Sequence, residues 1–241
     1  MLKIINLTQD LKLIKILPNF LTILNGFCGI LAIVAISLNF LTQLQILYLV
    51  LIGAVLDFLD GYFANILNVR SKIGAQLDSF SDLITFSIVP SVFVFHFLQN
   101  KIVELEFIPF LTLIIIPFSM FRLARFNTLP SRSYFQGLPT PANGIFFMGI
   151  PFISFEISSQ LLILILILSC FLLVSNFKLE SFKKTSENPG KNIFYVIIII
   201  FSVSTVLTLF IFDYSILNMI SFSVVIYIFS SLIFNLYKLI I

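Results

Sequence analysis

Eight stretches of about 20 mainly apolar residues run through the sequence, and they constrain the fold more than any other feature. A helix of this length matches the hydrocarbon thickness of a bilayer. Only 10% of the residues are charged, too few to cover so much apolar surface in water. We therefore predict an all-α, polytopic membrane protein of about eight transmembrane helices. The expected spans are 18–40, 44–66, 79–98, 105–122, 142–157, 160–176, 193–212 and 216–237.

Lysine and arginine test the orientation of these spans independently of their hydropathy. If the spans alternate and the N-terminus is cytoplasmic, 13 of the 14 basic residues fall on the cytoplasmic side, and Lys101 alone falls outside. An excess of basic residues in the inner loops is the usual signature of orientation. The sequence therefore predicts an even number of spans with both termini in the cytoplasm.

The remaining organisation is simple. Residues 1–16 mix leucine and isoleucine with lysine, which favours either a short helix on the membrane surface or a frayed basic terminus that aids orientation. No stretch looks like a linker, so we expect a single membrane domain over residues 1–241. Two isolated cysteines and one histidine give no disulfide or zinc pattern. A net charge of +3 gives no reason to expect nucleic-acid binding.

Four aspartates, Asp57, Asp60, Asp78 and Asp82, lie at the ends of the second and third expected spans. On insertion scales an aspartate at the membrane centre costs about 2.5–3.5 kcal/mol, so such a group requires compensating cations. The first pair is spaced i, i+3 and the second i, i+4, which places each pair on one face of its helix. Since the two helices are consecutive and joined by a short loop, we expect the four carboxylates to converge.

The donor set predicts the kind of ion. Carboxylate oxygens without histidine or cysteine favour hard divalent cations, Mg²⁺ or Mn²⁺. Four negative charges match two such ions, an arrangement used in displacements at phosphorus. Gly61, Ala64 and Gly74 lie beside the aspartates and would leave space for a bulky ligand, although small residues at a helix crossing are also common in membrane bundles.

The segment from Asp57 to Asp82 resembles the CDP-alcohol phosphatidyltransferase pattern D-x2-D-G-x2-A-R-x8-G-x3-D-x3-D. Every fixed position matches except Asn65, where the family has arginine. The resemblance implies that Asp57, Asp60 and Asp78 hold the metals, and that Asp82 both contacts metal and acts as the base. It also implies that the residues around Gly61, Ala64, Asn65 and Gly74 bind CDP-diacylglycerol. Because asparagine lacks the positive charge, we hypothesise that Arg70 takes over part of the arginine's role, with Lys72 as the alternative.

Further blocks resemble the CDP-diacylglycerol–serine O-phosphatidyltransferase branch of this family. They are Asp78–Phe86, Phe121–Asn127, Tyr134–Ala142, and Val174–Phe177 with Ser181–Lys183, and the resemblance covers roughly residues 16–184. It implies transfer of a phosphatidyl group from CDP-diacylglycerol to L-serine with release of CMP. It also implies a homodimer in the bacterial cytoplasmic membrane, with the active site facing the cytoplasm and no organic cofactor.

Three polar residues at the cytoplasmic end of the fourth span are further candidates. Arg122 and Arg125 are spaced i, i+3, and Asn127 follows them. They favour either a receptor for the serine carboxylate or a substrate phosphate, or simple anchoring of the helix at the cytoplasmic interface.

The sequence leaves two alternative functions open. The acceptor alcohol could be glycerol 3-phosphate or inositol phosphate, which would require additional basic residues near the pocket. A divalent-cation transporter could also carry intramembrane aspartates. Such a pathway should continue to the outer face, yet the outer halves of the spans around the motif contain no acid.

Overall fold

A computed structural model describes residues 2–99, 107–128, 134–153, 158–180, 217 and 219–240. The chain divides into two compact units, residues 1–89 and residues 90–241. Each unit is described on its own below.

The first unit is helical. Helix α1 runs over Leu2–Leu38, α2 over Gln43–Ile66 and α3 over Lys72–Leu83, followed by a π-helical turn at Ile84–Ile88. Residues 2–16 continue into the first span without a break, because α1 passes through Pro18 as one helix.

Side-chain caps fix where the two helices of the aspartate motif begin. Thr42 and Gln45 form a capping box at the start of α2, which satisfies backbone N–H groups that have no partner within the helix. Ser71 caps α3 by accepting a hydrogen bond from the N–H of Gly74. Between the two helices, Asn68 adopts a left-handed conformation with φ of 51°, which asparagine tolerates better than most residues. The loop is therefore short and turns the chain back on itself.

The described part of the second unit contains α-helices of 4 to 22 residues and one small sheet. The helices are α4 (Val89–Gln99, shared with the first unit at its first residue), α5 (Ile108–Leu111), α6 (Ile115–Thr128), α7 (Thr140–Gly149), α8 (Ser159–Val174) and α9 (Met219–Ile240). Strands β1 (Tyr134–Gln136) and β2 (Lys178–Glu180) pair in antiparallel register, with Tyr134 opposite Glu180. The apolar core of this unit is built on Val94, Leu98, Ile108, Ile115, Phe147, Ile150, Leu162, Leu166, Cys170 and Leu173.

Among the described residues, four helices are long and apolar enough to cross a membrane, namely Ile16–Leu38, Gln43–Ile66, Lys72–Gln99 and Ile108–Thr128. They correspond to the first four expected spans and confirm a helical membrane protein. Two further apolar helices, Ser159–Val174 and Ile220–Ser231, are shorter.

The expected count of eight is not established. In the described part of the span expected at 142–157, the α-helix ends at Gly149, because Pro151 cannot donate the N–H that would continue α7, and a 3₁₀ turn follows. The span expected at 193–212 lies outside the described residues.

Candidate functional site

The structure brings three of the motif carboxylates together. Asp57 and Asp60 project from α2 and Asp78 from α3, and one oxygen from each lies within 4.8 Å of the others. Asp60 is buried, with 6% of its surface exposed, while Asp57 and Asp78 are half-buried. The helical spacing explains why the two α2 carboxylates share a face.

Asp82 lies at the edge of this cluster, one helical turn beyond Asp78. Its carboxyl group is within hydrogen-bonding reach of Asp57, as is that of Asp78. Asp82 is also the more deeply buried member of the α3 pair, with 8% exposure. Asp57 is therefore the member of the three-carboxylate cluster that Asp82 approaches.

The cluster fits a hard divalent cation. Carboxylates this close repel one another, and a cation held between them removes the repulsion. The donor atoms are all oxygen, which suits Mg²⁺ or Mn²⁺ better than zinc or copper. Asp57, Asp60 and Asp78 can thus form a metal site.

Helix α1 supplies polar contacts behind the cluster that the sequence analysis missed. The hydroxyl group of Thr22 hydrogen-bonds Oδ2 of Asp60 and lies 2.9 Å from the carbonyl oxygen of Pro18. On the other motif helix, the Ser81 hydroxyl donates to the carbonyl oxygen of Thr22 at 2.8 Å. The available signal was a face of polar and small residues within an apolar helix, which is typical of helix–helix interfaces in membranes.

The small residues of the motif differ in their surroundings. A Cβ atom added to Gly61 would meet nothing within 4 Å, so the helix surface there is open. A Cβ added to Gly74 would lie 2.9 Å from Oδ1 of Asn19. Ala64 is half-buried on the same helix as Gly61. Gly61 thus leaves room for a ligand, whereas Gly74 lets α1 approach α3.

Asn65 and Arg70 form a pair on the exposed side of the motif. The Arg70 guanidinium donates a hydrogen bond from Nη2 to Oδ1 of Asn65 at 3.2 Å. Lys72, the other basic residue of this loop, is exposed at the start of α3. The pair holds a positive charge beside the position where the motif normally has its arginine.

Arg122 and Arg125 lie on α6 in the second unit and have different surroundings. Arg122 is buried, donates from Nη1 to the Thr140 hydroxyl at 2.8 Å, and has its guanidinium 5.8 Å from the centre of the Phe126 ring. Asn127 is half-buried in the last turn of the same helix.

Arg125 instead binds the chain that follows α8. Its Nη1 donates to the carbonyl oxygen of Val174 at 2.8 Å and its Nη2 to that of Ser175 at 3.0 Å. Nη2 also lies 3.3 Å from the carbonyl oxygen of Gln136. Arg125 therefore ties the end of α8 to the segment that precedes α7.

Residues 15–174 match the CDP-alcohol phosphatidyltransferase family. This match agrees with the helical fold and with the aspartate cluster. The chain belongs to this family.

The names of similar proteins indicate one branch within this family. The CDP-diacylglycerol–serine O-phosphatidyltransferase of Bacillus subtilis is 35% identical over 178 residues, covering 71% of this chain and 94% of that protein. The protein of the same name from Helicobacter pylori is 29% identical over 181 residues, covering 71% and 74%. Another, from Methanocaldococcus jannaschii, is 30% identical over 140 residues, covering 58% and 62%. The resemblance noted in the sequence is therefore confirmed.

Proposed function

We propose that this chain is a phosphatidylserine synthase, which transfers the phosphatidyl group of CDP-diacylglycerol to the hydroxyl group of L-serine. The observation that carries the proposal is the carboxylate cluster of Asp57, Asp60 and Asp78, set in a chain that matches serine-specific relatives over most of its length. The reaction forms phosphatidylserine and releases CMP. No ATP is needed, because the substrate already contains an activated phosphoanhydride.

Each motif aspartate has a proposed role. Asp57, Asp60 and Asp78 hold two divalent cations, and Asp82 is a further ligand of these ions. When bound, Mg²⁺ or Mn²⁺ neutralises charge on the pyrophosphate of the substrate. Asp82 accepts the proton of the serine hydroxyl, whose oxygen then attacks the phosphorus that bears diacylglycerol, while the bond to CMP breaks. The position of Asp82 beside Asp57 supports this division of roles.

Polar residues in each unit and open space in the first unit support proposed binding roles for the substrate groups. The surface at Gly61 and Ala64 receives the nucleotide end of CDP-diacylglycerol, and the backbone at Gly74 belongs to the same binding region. Asn65 and Arg70 bind its phosphates, since a guanidinium forms strong hydrogen bonds to phosphate oxygens.

In the second unit, the buried Arg122 is proposed to bind the serine carboxylate or a substrate phosphate, with Asn127 as a polar neighbour. Arg125 is proposed to hold the surrounding backbone, because its guanidinium already binds three carbonyl oxygens.

The proposed setting is a homodimer in the bacterial cytoplasmic membrane. Eight spans with both termini inside agree with the placement of 13 of the 14 basic residues. The active site then faces the cytoplasm, where serine is supplied. A single membrane domain is favoured because the family match at residues 15–174 runs across the division between the two units.

The test is an assay of CMP release by the purified protein with CDP-diacylglycerol, Mg²⁺ or Mn²⁺, and one acceptor at a time. We expect labelled phosphatidylserine with L-serine and no lipid product with glycerol 3-phosphate or inositol phosphate. Asp82→Asn serves as the inactive control. Product with another acceptor but not with serine would refute the assignment, and cation flux in liposomes without CMP release would favour a transporter.

A further inference from the structure

We infer that Thr22 on α1 is a positioning residue for the metal site, because it joins the two helices that carry the carboxylates. Its side chain binds Asp60 of α2, and its backbone carbonyl accepts a hydrogen bond from Ser81 of α3. The inference rests on the proposed metal-dependent function. It adds a residue outside the aspartate motif to the site.

The packing of the first unit explains why such a residue is needed. Both α2 and α3 pack on α1, and each shares more contact with α1 than with the other. The carboxylates of Asp57, Asp60 and Asp78 nevertheless lie within 4.8 Å of one another. Their separation is therefore set by where α1 holds each helix.

Thr22 is well suited to fix that separation. It is buried, with 3% of its surface exposed, and its hydroxyl oxygen also lies 2.9 Å from the carbonyl oxygen of Pro18, one turn earlier. A β-branched side chain has few rotamers in a helix, and this contact selects one of them. A hydroxyl has a single hydrogen, so with Asp60 ionised the hydrogen goes to the carboxylate, which is the stronger acceptor.

The bond to Thr22 leaves Asp60 able to bind a cation. A carboxylate has two oxygens with several lone pairs, and Thr22 occupies Oδ2. Neighbouring residues that orient metal ligands in this way commonly change metal affinity about 10–100-fold when they are removed. Thr22 therefore acts on metal affinity through Asp60.

Close packing continues along the same face of α1. A Cβ atom at Gly26 would lie 3.0 Å from the Ser81 hydroxyl oxygen, and Thr85 donates to the carbonyl oxygen of Asn25 at 2.9 Å. Thr85, in the π-helical turn after α3, provides a matched control, since it is a buried threonine whose hydroxyl donates to a backbone carbonyl of α1 and not to a carboxylate.

The experiment measures Mn²⁺ binding to the purified full-length protein in detergent, by electron paramagnetic resonance of free Mn²⁺ in the absence of substrate. The variants are Thr22→Val, which keeps the shape but loses the hydroxyl, Thr22→Ser, which keeps the hydroxyl, and Thr85→Val. We expect Thr22→Val to raise the Mn²⁺ dissociation constant about tenfold or more, and the other two to stay within about threefold of the wild type.

Two results would overturn the inference: wild-type Mn²⁺ affinity in Thr22→Val, or an equal loss in Thr85→Val, which would indicate a general packing effect. If Thr22→Val does not fold, Ser81→Ala decides, with a dissociation constant raised about threefold expected and an unchanged one contradicting the bridging role. Wild-type protein that binds no Mn²⁺ would instead refute the metal-dependent function itself, so the two failures are distinguishable.

Discussion

The guanidinium of Arg70 is held by the side-chain amide of Asn65, with 3.2 Å between Nη2 and Oδ1. Asn65 occupies the single position at which the motif departs from its family pattern. The asparagine thus retains a positive charge near its own position by binding the arginine five residues later. This relationship favours Arg70 over Lys72 as the proposed substitute for the missing arginine.

Loss of Arg70 should therefore weaken binding of CDP-diacylglycerol. We expect Arg70→Ala to raise the KM for CDP-diacylglycerol about 10–100-fold, since a hydrogen bond to a charged group contributes about 1.5–3 kcal/mol. Steady-state kinetics with lipid dispersed in detergent would measure it. Lys72→Ala, which removes a charge from the same loop, is the control and should change KM less than threefold or so.

The double variant Asn65→Arg/Arg70→Ala tests the same pair in the opposite direction. Placing the arginine at position 65 restores the family pattern, so we expect the double variant to recover most of the affinity lost in Arg70→Ala. A KM that remains as high as in the single variant, or a normal KM in Arg70→Ala itself, would contradict the role of Arg70.

Replacing the two motif glycines with alanine should distinguish the position that leaves room for substrate from the position that allows close helix packing. At Gly61 the added methyl group meets no protein atom within 4 Å, so we expect unchanged thermal stability. Activity should nevertheless fall, with kcat/KM for CDP-diacylglycerol lowered about tenfold or more, because the methyl group occupies the space proposed for the substrate.

At Gly74 the opposite result is expected. The methyl group would approach Asn19 Oδ1 to 2.9 Å and the Ser71 hydroxyl oxygen to 3.1 Å. Overpacking of this kind costs about 1–3 kcal/mol, so Gly74→Ala should lower the Tm measured in detergent. If both variants keep full activity and wild-type stability, neither position has the assigned role.

The aspartate cluster could be anticipated from the sequence because it depends on local geometry. Spacings of three and four residues on two consecutive helices determine which carboxylates share a face, whatever else the fold does. Thr22 could not be anticipated in the same way. Its role depends on the register between α1 and the motif helices, more than 35 residues away in sequence, and a threonine in an apolar helix gives no signal of its register.

The contacts of the two arginines of α6 could not be predicted from the sequence either. Their spacing suggested a shared role, yet Arg122 contacts Thr140 and Arg125 contacts the end of α8. Residues three apart lie about 60° apart around a helix, so they can meet different neighbours. Which neighbours they meet depends on helix packing and on the turn at Gly137, which has a φ of 72°.

Arg125 should accordingly affect stability more than substrate affinity. Removing it leaves the carbonyl groups of Val174 and Ser175 without their charged donor, at a cost of about 1.5–3 kcal/mol. We expect Arg125→Ala to lower the Tm on the order of 5–10 °C and to leave the KM for serine within about threefold of the wild type. A serine KM raised tenfold at unchanged Tm would assign Arg125 to the acceptor pocket instead.

Asparagine variants of Asp78 and Asp82 should distinguish a loss of metal binding from a loss of proton transfer. Asp78 shares the three-carboxylate cluster with Asp57 and Asp60, so Asp78→Asn should raise the Mg²⁺ concentration needed for half-maximal activity by about tenfold or more. Asp82 stands beside Asp57 as the proposed base, so Asp82→Asn should lower kcat about 100–10,000-fold even at saturating Mg²⁺. Titration of activity against Mg²⁺ in both variants measures the two effects. Recovery of Asp82→Asn at high Mg²⁺ would mean that its main role is to bind metal, and proton acceptance would then belong to another group.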